Sequence, residues 1–249
     1  VTFASLAMYP FAHLRDAQNA LWDGIRGHLA DAPAALDFDT ELHAAWHRPD
    51  LLLGQTCGWP LVTELDGVVE VIGTFDVTVP FAANGTYRSV LVARKPLALH
   101  EWKAMPGVTV ARNNPDSLSG WVSLCAAWGG VPERVLETGA HLDSMRAIAA
   151  GRADVAIIDA LSFQFIAEQE PFVAGGVHII GHGPFIPCLP LVMAKELAAR
   201  RDEVRAAVAA AIDDPASAAA CARLRIRGFV PFDAAAYEPV RSLMPPSEG

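Results

Sequence analysis

The sequence has no cluster of Lys or Arg; the nearest approach, Arg223, Arg225 and Arg227, is short and diluted. With 19 basic against 28 acidic residues the formal net charge is −9. A protein that grips nucleic acid over its whole surface needs basic patches to neutralise phosphates, so no nucleic-acid partner is expected. No apolar run approaches the roughly 18–20 residues that span a bilayer. No basic start followed by an apolar run marks a secretory signal, although the chain begins at Val1 and not at Met, which leaves open the removal of a leader. The four cysteines, Cys57, Cys125, Cys188 and Cys221, form no Cys-x-x-Cys pair, so they are expected as buried free thiols. There is no phosphate-loop Lys and no Gly-x-Ser-x-Gly elbow for a hydrolase nucleophile.

What is present is core. Hydrophobic residues make up 52% of the 249 and charged ones 19%, enough to bury one large domain or two of about 100–150 residues. Strand and helix signals alternate along the first part. Phe3 to Met8 reads as a strand, and Leu14 to Leu29 as a helix with Ala17, Leu21, Ile25 and Leu29 on one stripe. A short strand at Ala35 to Phe38 and a helix over Thr40 to His47 follow. Leu51 to Leu53 is a buried strand, ending in Gly54-Gln55-Thr56-Cys57-Gly58, and Val68 to Phe75 is another.

The middle part repeats the pattern. Tyr87 to Ala93 is a strand, Leu99 to Ala104 a helix, and Val108 to Ala111 a strand. Trp121 to Trp128 is a helix stopped by Gly129-Gly130. A helix from Leu142 to Gly151, a strand from Ala153 to Ile158, a helix to Gln169 and a strand from Val177 to Ile180 complete it. The Gly181–Pro187 stretch reads as turns. Beyond it lie the segment Leu189 to Met193 and helices over Ala194–Ile212, Ser217–Arg225 and Asp233–Leu243. This order predicts an α/β fold with mostly parallel sheets. The last helices have no strands of their own, so they are expected to return to the first lobe. That gives a discontinuous lobe 1 of residues 1–84 plus 188–249, a lobe 2 of residues 85–187, and a ligand cleft between them.

Polar groups fall at the strand ends, where open α/β sheets bind ligands. Gln55 and Thr56 follow the Leu51 strand, with Pro60 in the first turn of the next helix. Ser117 and Ser119 lie in Asn113-Asn114-Pro115-Asp116-Ser117-Leu118-Ser119-Gly120, between a strand and a helix. There free backbone N–H groups and the positive end of a helix dipole hold an anion without a Lys or Arg; alternatively Ser117 only caps the helix. Asp159 directly follows the Val155–Ile158 strand. His141, at a helix start, offers an imidazole that donates to an anion.

These segments resemble the phosphate/phosphite/phosphonate-type (PhnD-like) periplasmic substrate-binding proteins of ABC transporters. The Asn113–Gly120 loop is similar to that family's Asn-x-x-Ser-x-Ser-Gly signature. Gly139-Ala140-His141-Leu142-Asp143-Ser144 with Ala149 to Asp159 is similar to its second signature. Leu51 to Pro60 and Thr86 to Val92 resemble its first-lobe and crossover segments. The resemblance runs from about Phe3 to Met193. It implies a two-lobed, type II venus-flytrap fold in which Ser117, the Leu118 N–H, Ser119 and His141 hold the oxygens of a small anion. It further implies that Tyr87, with Tyr9, Gln55 and Thr56, approaches from the other lobe, and that Asp159 faces the ligand's distal substituent, such as an amine. Leu118 stands where phosphonate binders usually carry Thr, and Gly183 to Pro190 lacks their second acid. A smaller oxyanion or an organic acid with an apolar tail therefore stays open beside a phosphonate.

The expected function is that of a solute-binding protein for an ABC importer. It would partner a small anionic ligand and a membrane permease, as a monomer, without cofactor, metal or catalysis. It would be periplasmic if a leader was removed and cytoplasmic otherwise. The alternative is a cytosolic enzyme or ligand sensor on the same scaffold, acting on a small organic acid, with His141 and Asp159 as acid and base. His43 and His47 share a helix-like spacing, as do His178 and His182, but no third ligand follows at a metal-site interval. Trp22, Trp46 and Trp102 are expected in packing.

Overall fold

The computed structural model of the chain describes residues 2–244. The first part of the chain runs through β1 (Phe3–Ser5), α1 (Arg15–Arg26), α2 (Leu42–Trp46), β2 (Leu51–Gln55), α3 (Gly58–Thr63) and β3 (Val69–Val77). A second group follows: β4 (Thr86–Ala93), α4 (Leu99–Ala104), β5 (Val110–Arg112), α5 (Ser123–Trp128), β6 (Val135–Glu137), α6 (His141–Ala149), β7 (Val155–Ile158), α7 (Ala160–Gln169), α8 (Pro171–Gly175) and β8 (His178–Pro187). The chain ends with β9 (Pro190–Ala194), α9 (Arg201–Asp213), α10 (Ala218–Arg223) and β10 (Ile226–Val230).

Contacts divide the chain into two compact units. Of the described residues, one takes 2–78, Ala82–Thr86 and Pro187–Glu238; the other takes Val79–Phe81, Tyr87–Ile186 and 239–244. The sequence places 188–249 with the first lobe; of that stretch, residues 245–249 lie outside the described residues. The final segment groups with the second because Met244 packs against the cluster of Leu91, Trp102 and Trp121.

The first unit is built on a five-stranded sheet ordered β1-β2-β9-β3-β10. Only its β1–β2 pair is parallel; β9 runs antiparallel to both β2 and β3, and β10 antiparallel to β3. All five residues of β2 are buried, as befits a strand covered on both faces. Leu21, Trp22 and Ile25 bury one stripe of α1, which packs on α9 and α10. The second unit has the order β6-β5-β7-β4-β8, with β5 parallel to β6 and β7 and β4 antiparallel to β7. Its core joins Leu91, Val110, Trp121, Leu124, Val155 and Ile157.

The mostly parallel sheets expected from sequence are therefore mixed. In the first unit the returning strand β9 inserts between β2 and β3 and reverses the pairing on both sides. Three further expectations fail locally. Residues 35–38 form no strand. The turn-rich Gly181–Pro187 stretch is part of β8, and Asp233–Leu243 is two short 3-10 turns rather than a helix. The last segment also carries a strand of its own, β10. All four cysteines are free; Cys125, Cys188 and Cys221 are buried and Cys57 is half-buried. Burial pushes the Cys125 thiol up to about 11.

Candidate functional site

The Ser loop leaves β5 through an Asx turn, in which the Asp116 N–H donates to Asn114 Oδ1 at 2.8 Å. Ser117 then caps the next turn: its Oγ accepts from the Gly120 N–H at 3.0 Å. Because that oxygen acts as acceptor, its own proton is available to a second partner. The turn itself, Leu118–Val122, is wound wide. The Val122 N–H reaches back five residues to the Ser117 carbonyl at 3.0 Å, and the Ser123 hydroxyl donates to the Leu118 carbonyl at 2.7 Å. Such π-turns recur at functional sites. Here the wide turn runs directly into α5, so one continuous helical stretch begins at the two serines.

Gly120 has a specific reason to lack a side chain. A Cβ built there would lie 2.0 Å from Asn113 Oδ1 and 2.9 Å from Ser117 Oγ. The Asn113 amide fills that space, and from there its Nδ2 reaches His141 Nε2 at 3.3 Å. Ser119 Oγ lies 3.4 Å from the same nitrogen. His141 opens α6 with its Nδ1 buried and without a partner, as is Asn113 Oδ1. Burial holds the imidazole below its ordinary value, and the charge of Asp159 opposes this only in part. The ring is thus neutral at pH 7.

Asp159 ends β7 and caps α7. Its carboxylate accepts from the Ser162 N–H at 2.7 Å and from the Tyr87 hydroxyl at 2.5 Å, and the residue is 2% exposed. Each oxygen therefore holds one protein donor, and a carboxylate keeps further lone pairs beyond these two. Tyr87 and Ser89 alternate on β4 and share one face; the Ser89 hydroxyl is buried without a partner.

The structure thus joins Ser117, Leu118, Ser119 and His141 in one corner of the second unit and pairs Tyr87 with Asp159 in that same unit, so Tyr87 does not come from the other lobe as expected. Tyr9, Gln55 and Thr56 belong to the first unit. The Tyr9 carbonyl accepts from Gln18 Nε2 at 3.3 Å, the Gln55 carbonyl from Trp46 Nε1 at 3.0 Å, and the Thr56 N–H donates to the Pro190 carbonyl at 3.0 Å. The Thr56 hydroxyl is buried without a partner. Sequence reasoning passed over Asn113 as loop chemistry, although it opens the very signature that was singled out. Among the described residues no group of three His, Cys, Asp or Glu could hold a metal ion. Trp22, Trp46 and Trp102 are packed in the core.

A sequence profile of the family described as ABC transporter, phosphonate, periplasmic substrate-binding protein matches residues 50–237. The chain belongs to this family. Its members are substrate-binding proteins of transport systems and not enzymes. No curated protein matches the chain. Among solved structures, a binding-protein component of an ABC phosphonate transporter from Pseudomonas aeruginosa aligns with TM-score 0.77 at 17% identity, over 98% of this chain and 84% of that one. The PhnD1 protein of Prochlorococcus marinus, solved with methylphosphonate, aligns with TM-score 0.79 at 13% identity, over 98% and 96%. A Xanthomonas citri protein bound to chloride gives TM-score 0.70 at 15% identity, over 97% and 98%. At these identities the structures show the fold, that of the two-lobed periplasmic binding proteins. The solute-binding protein described here thus serves a phosphonate-type ABC importer, and none of its described helices is long and apolar enough to cross a membrane.

Proposed function

We propose that the binding protein takes a small tetrahedral phosphorus oxyanion (phosphonate, phosphite or phosphate) at the Ser117–Val122 turn. The observation that carries this reading is the convergence of Ser117, Ser119 and His141 on the first turn of a helix that offers neutral donors and no lysine or arginine. Helix geometry leaves the first N–H groups of such a turn without intrahelical acceptors, and their dipole favours an anion. The Leu118 N–H, the two hydroxyls and His141 form the oxyanion contacts. Leu118 removes the hydroxyl that a Thr would add, which suits a small ligand, and Asp159, with lone pairs beyond those that Ser162 and Tyr87 occupy, faces the ligand's distal substituent.

Binding selects a ligand-bound conformation by differential affinity, which a membrane permease of the importer then reads. The protein works as a monomer in the periplasm. A thermal-shift panel of phosphate, phosphite, methylphosphonate, aminoethylphosphonate, sulfonates and aromatic carboxylates tests the reading. A ligand at one hundred times its dissociation constant adds about 2.7 kcal/mol to stability. A response to one phosphorus oxyanion that disappears in Ser119→Ala supports the site. A response confined to organic acids, or none, overturns it.

A further inference from the structure

The charges around His141 decide which ionic form of the anion fits. Its helix α6 packs on β5, β7, α7 and α8. From these elements the charged groups are Arg112 on β5, Asp159 at the head of α7, Glu168 within α7 and Glu170 just before α8; Asp143 and Arg146 belong to α6 itself. Arg112 pairs with Glu137 and lies 4.5 Å over the Trp121 ring. Arg146 bridges Asp143 and Glu170. The charge that acts on the imidazole is that of Asp159, and it is negative.

The imidazole is also oriented. Nε2 faces Asn113 Nδ2, a group that only donates, at 3.3 Å. With the amide placed so, the Nε2 lone pair faces the donor and the proton goes to Nδ1, a buried atom with no acceptor beside it. The second neighbour, Ser119 Oγ at 3.4 Å, is as distant, and both contacts exceed the roughly 2.9 Å of a full hydrogen bond. The lone pair has room for a better donor once the Ser119 hydroxyl turns to an anion.

We propose that the site takes the singly ionised, proton-bearing form of a phosphorus oxyanion, with His141 Nε2 accepting the P–OH proton and Asn113 holding the imidazole in the tautomer that allows it. This rests on the anion site proposed above. A dianion would sit near buried Asp159 with only neutral donors to offset it. A fully ionised sulfonate would set a bare oxygen against the Nε2 lone pair, a mismatch that costs more than a missing contact. His141 acts on the ligand; Asn113 is a positioning residue that acts through it.

The test is isothermal titration of the intact protein with methylphosphonate, phosphite and phosphate across the second ionisation of each ligand, with methanesulfonate as the shape-matched control. Affinity falls about tenfold per pH unit above that ionisation, with net proton uptake read from the buffer dependence of the heat. Methanesulfonate binds about a hundredfold more weakly or not at all. In ¹⁵N spectra the His141 Nε2 is unprotonated in the wild type, and Asn113→Ala mixes the tautomers and weakens binding by about tenfold. The inference is overturned by affinity that stays level or rises as the dianion forms, by a proton on Nε2, or by equal sulfonate binding; each of these leaves the anion site standing. Silence toward all three phosphorus ligands at every pH overturns the site as well. The wild-type titrations stand even if the Asn113 variant fails to fold.

Discussion

Two of the strand-to-helix turns that carry polar groups, the one after β2 in the first unit and the one after β5 in the second, are built differently. In the first unit, Gln55 and Thr56 are fastened through their backbones, to Trp46 and Pro190, and the Thr56 hydroxyl is left over. In the second, Asn113, Ser117, Ser119 and His141 contact one another through their side chains and the Gly120 amide. A backbone-fastened turn tolerates a change of side chain, whereas a side-chain network loses its geometry when one member goes. The comparison teaches that the second turn depends on its side chains for its shape, as a site proposed to hold an anion must, whereas the first keeps its shape without the Thr56 hydroxyl.

The sharpest way to break this contrast is Gly120→Ala. The added methyl meets Asn113 Oδ1, so binding is expected to vanish and stability to fall by about 1–3 kcal/mol, the range for overpacking; urea melts and titration on one preparation would show both. Asp159→Ala comes next. It removes the α7 cap and leaves the Tyr87 hydroxyl buried without its acceptor, for a loss of about 2–3 kcal/mol in the same melts. Tyr87→Phe, which spares the cap, should lose less.

The serines separate capping from binding. Ser117→Ala loses about 1 kcal/mol of stability along with affinity, while Ser119→Ala loses affinity by about 1–3 kcal/mol with stability nearly unchanged. Equal stability losses in the two variants would erase the distinction. In the first unit, Thr56→Val removes a hydroxyl that satisfies nothing in the fold, so stability should hold or rise slightly, with any loss confined to ligand affinity. The smallest expected effect concerns acid. His141 is held below its ordinary value of 6.5, so the unfolded chain takes the proton first as pH drops. Its contribution is complete above that value and declines as pH falls through it. The urea midpoint should therefore drop less on acidification in His141→Gln than in the wild type.

The Ser loop was legible in the sequence because its information is local: an Asx turn, a cap and a helix start within eight residues. Asp159 was legible as a strand end, but its partner Tyr87 lies 72 positions away, so its role as a cap and hydroxyl acceptor was not. Strand β8 was hidden by Gly181, Gly183, Pro184 and Pro187, which spell turns; it lies at the sheet edge, where such residues are tolerated. β10 was hidden by Arg225 and Arg227, and it too is an edge strand. The antiparallel placement of β9 depends on partners more than 100 residues upstream, beyond the reach of any local pattern.

Asn113 standing where a Gly120 side chain would be has a further consequence, for the thermodynamics of capture. A loop whose space beside Gly120 is already filled from within has fewer conformations left to surrender when a ligand arrives. The ordering that a floppy loop would undergo on binding, commonly about 0.5–1.5 kcal/mol for each immobilised side chain, is completed when this chain folds. At the proposed site, capture of a small anion would then cost little conformational entropy, so that a ligand of only a few atoms could be held by the few hydrogen bonds it has room to make.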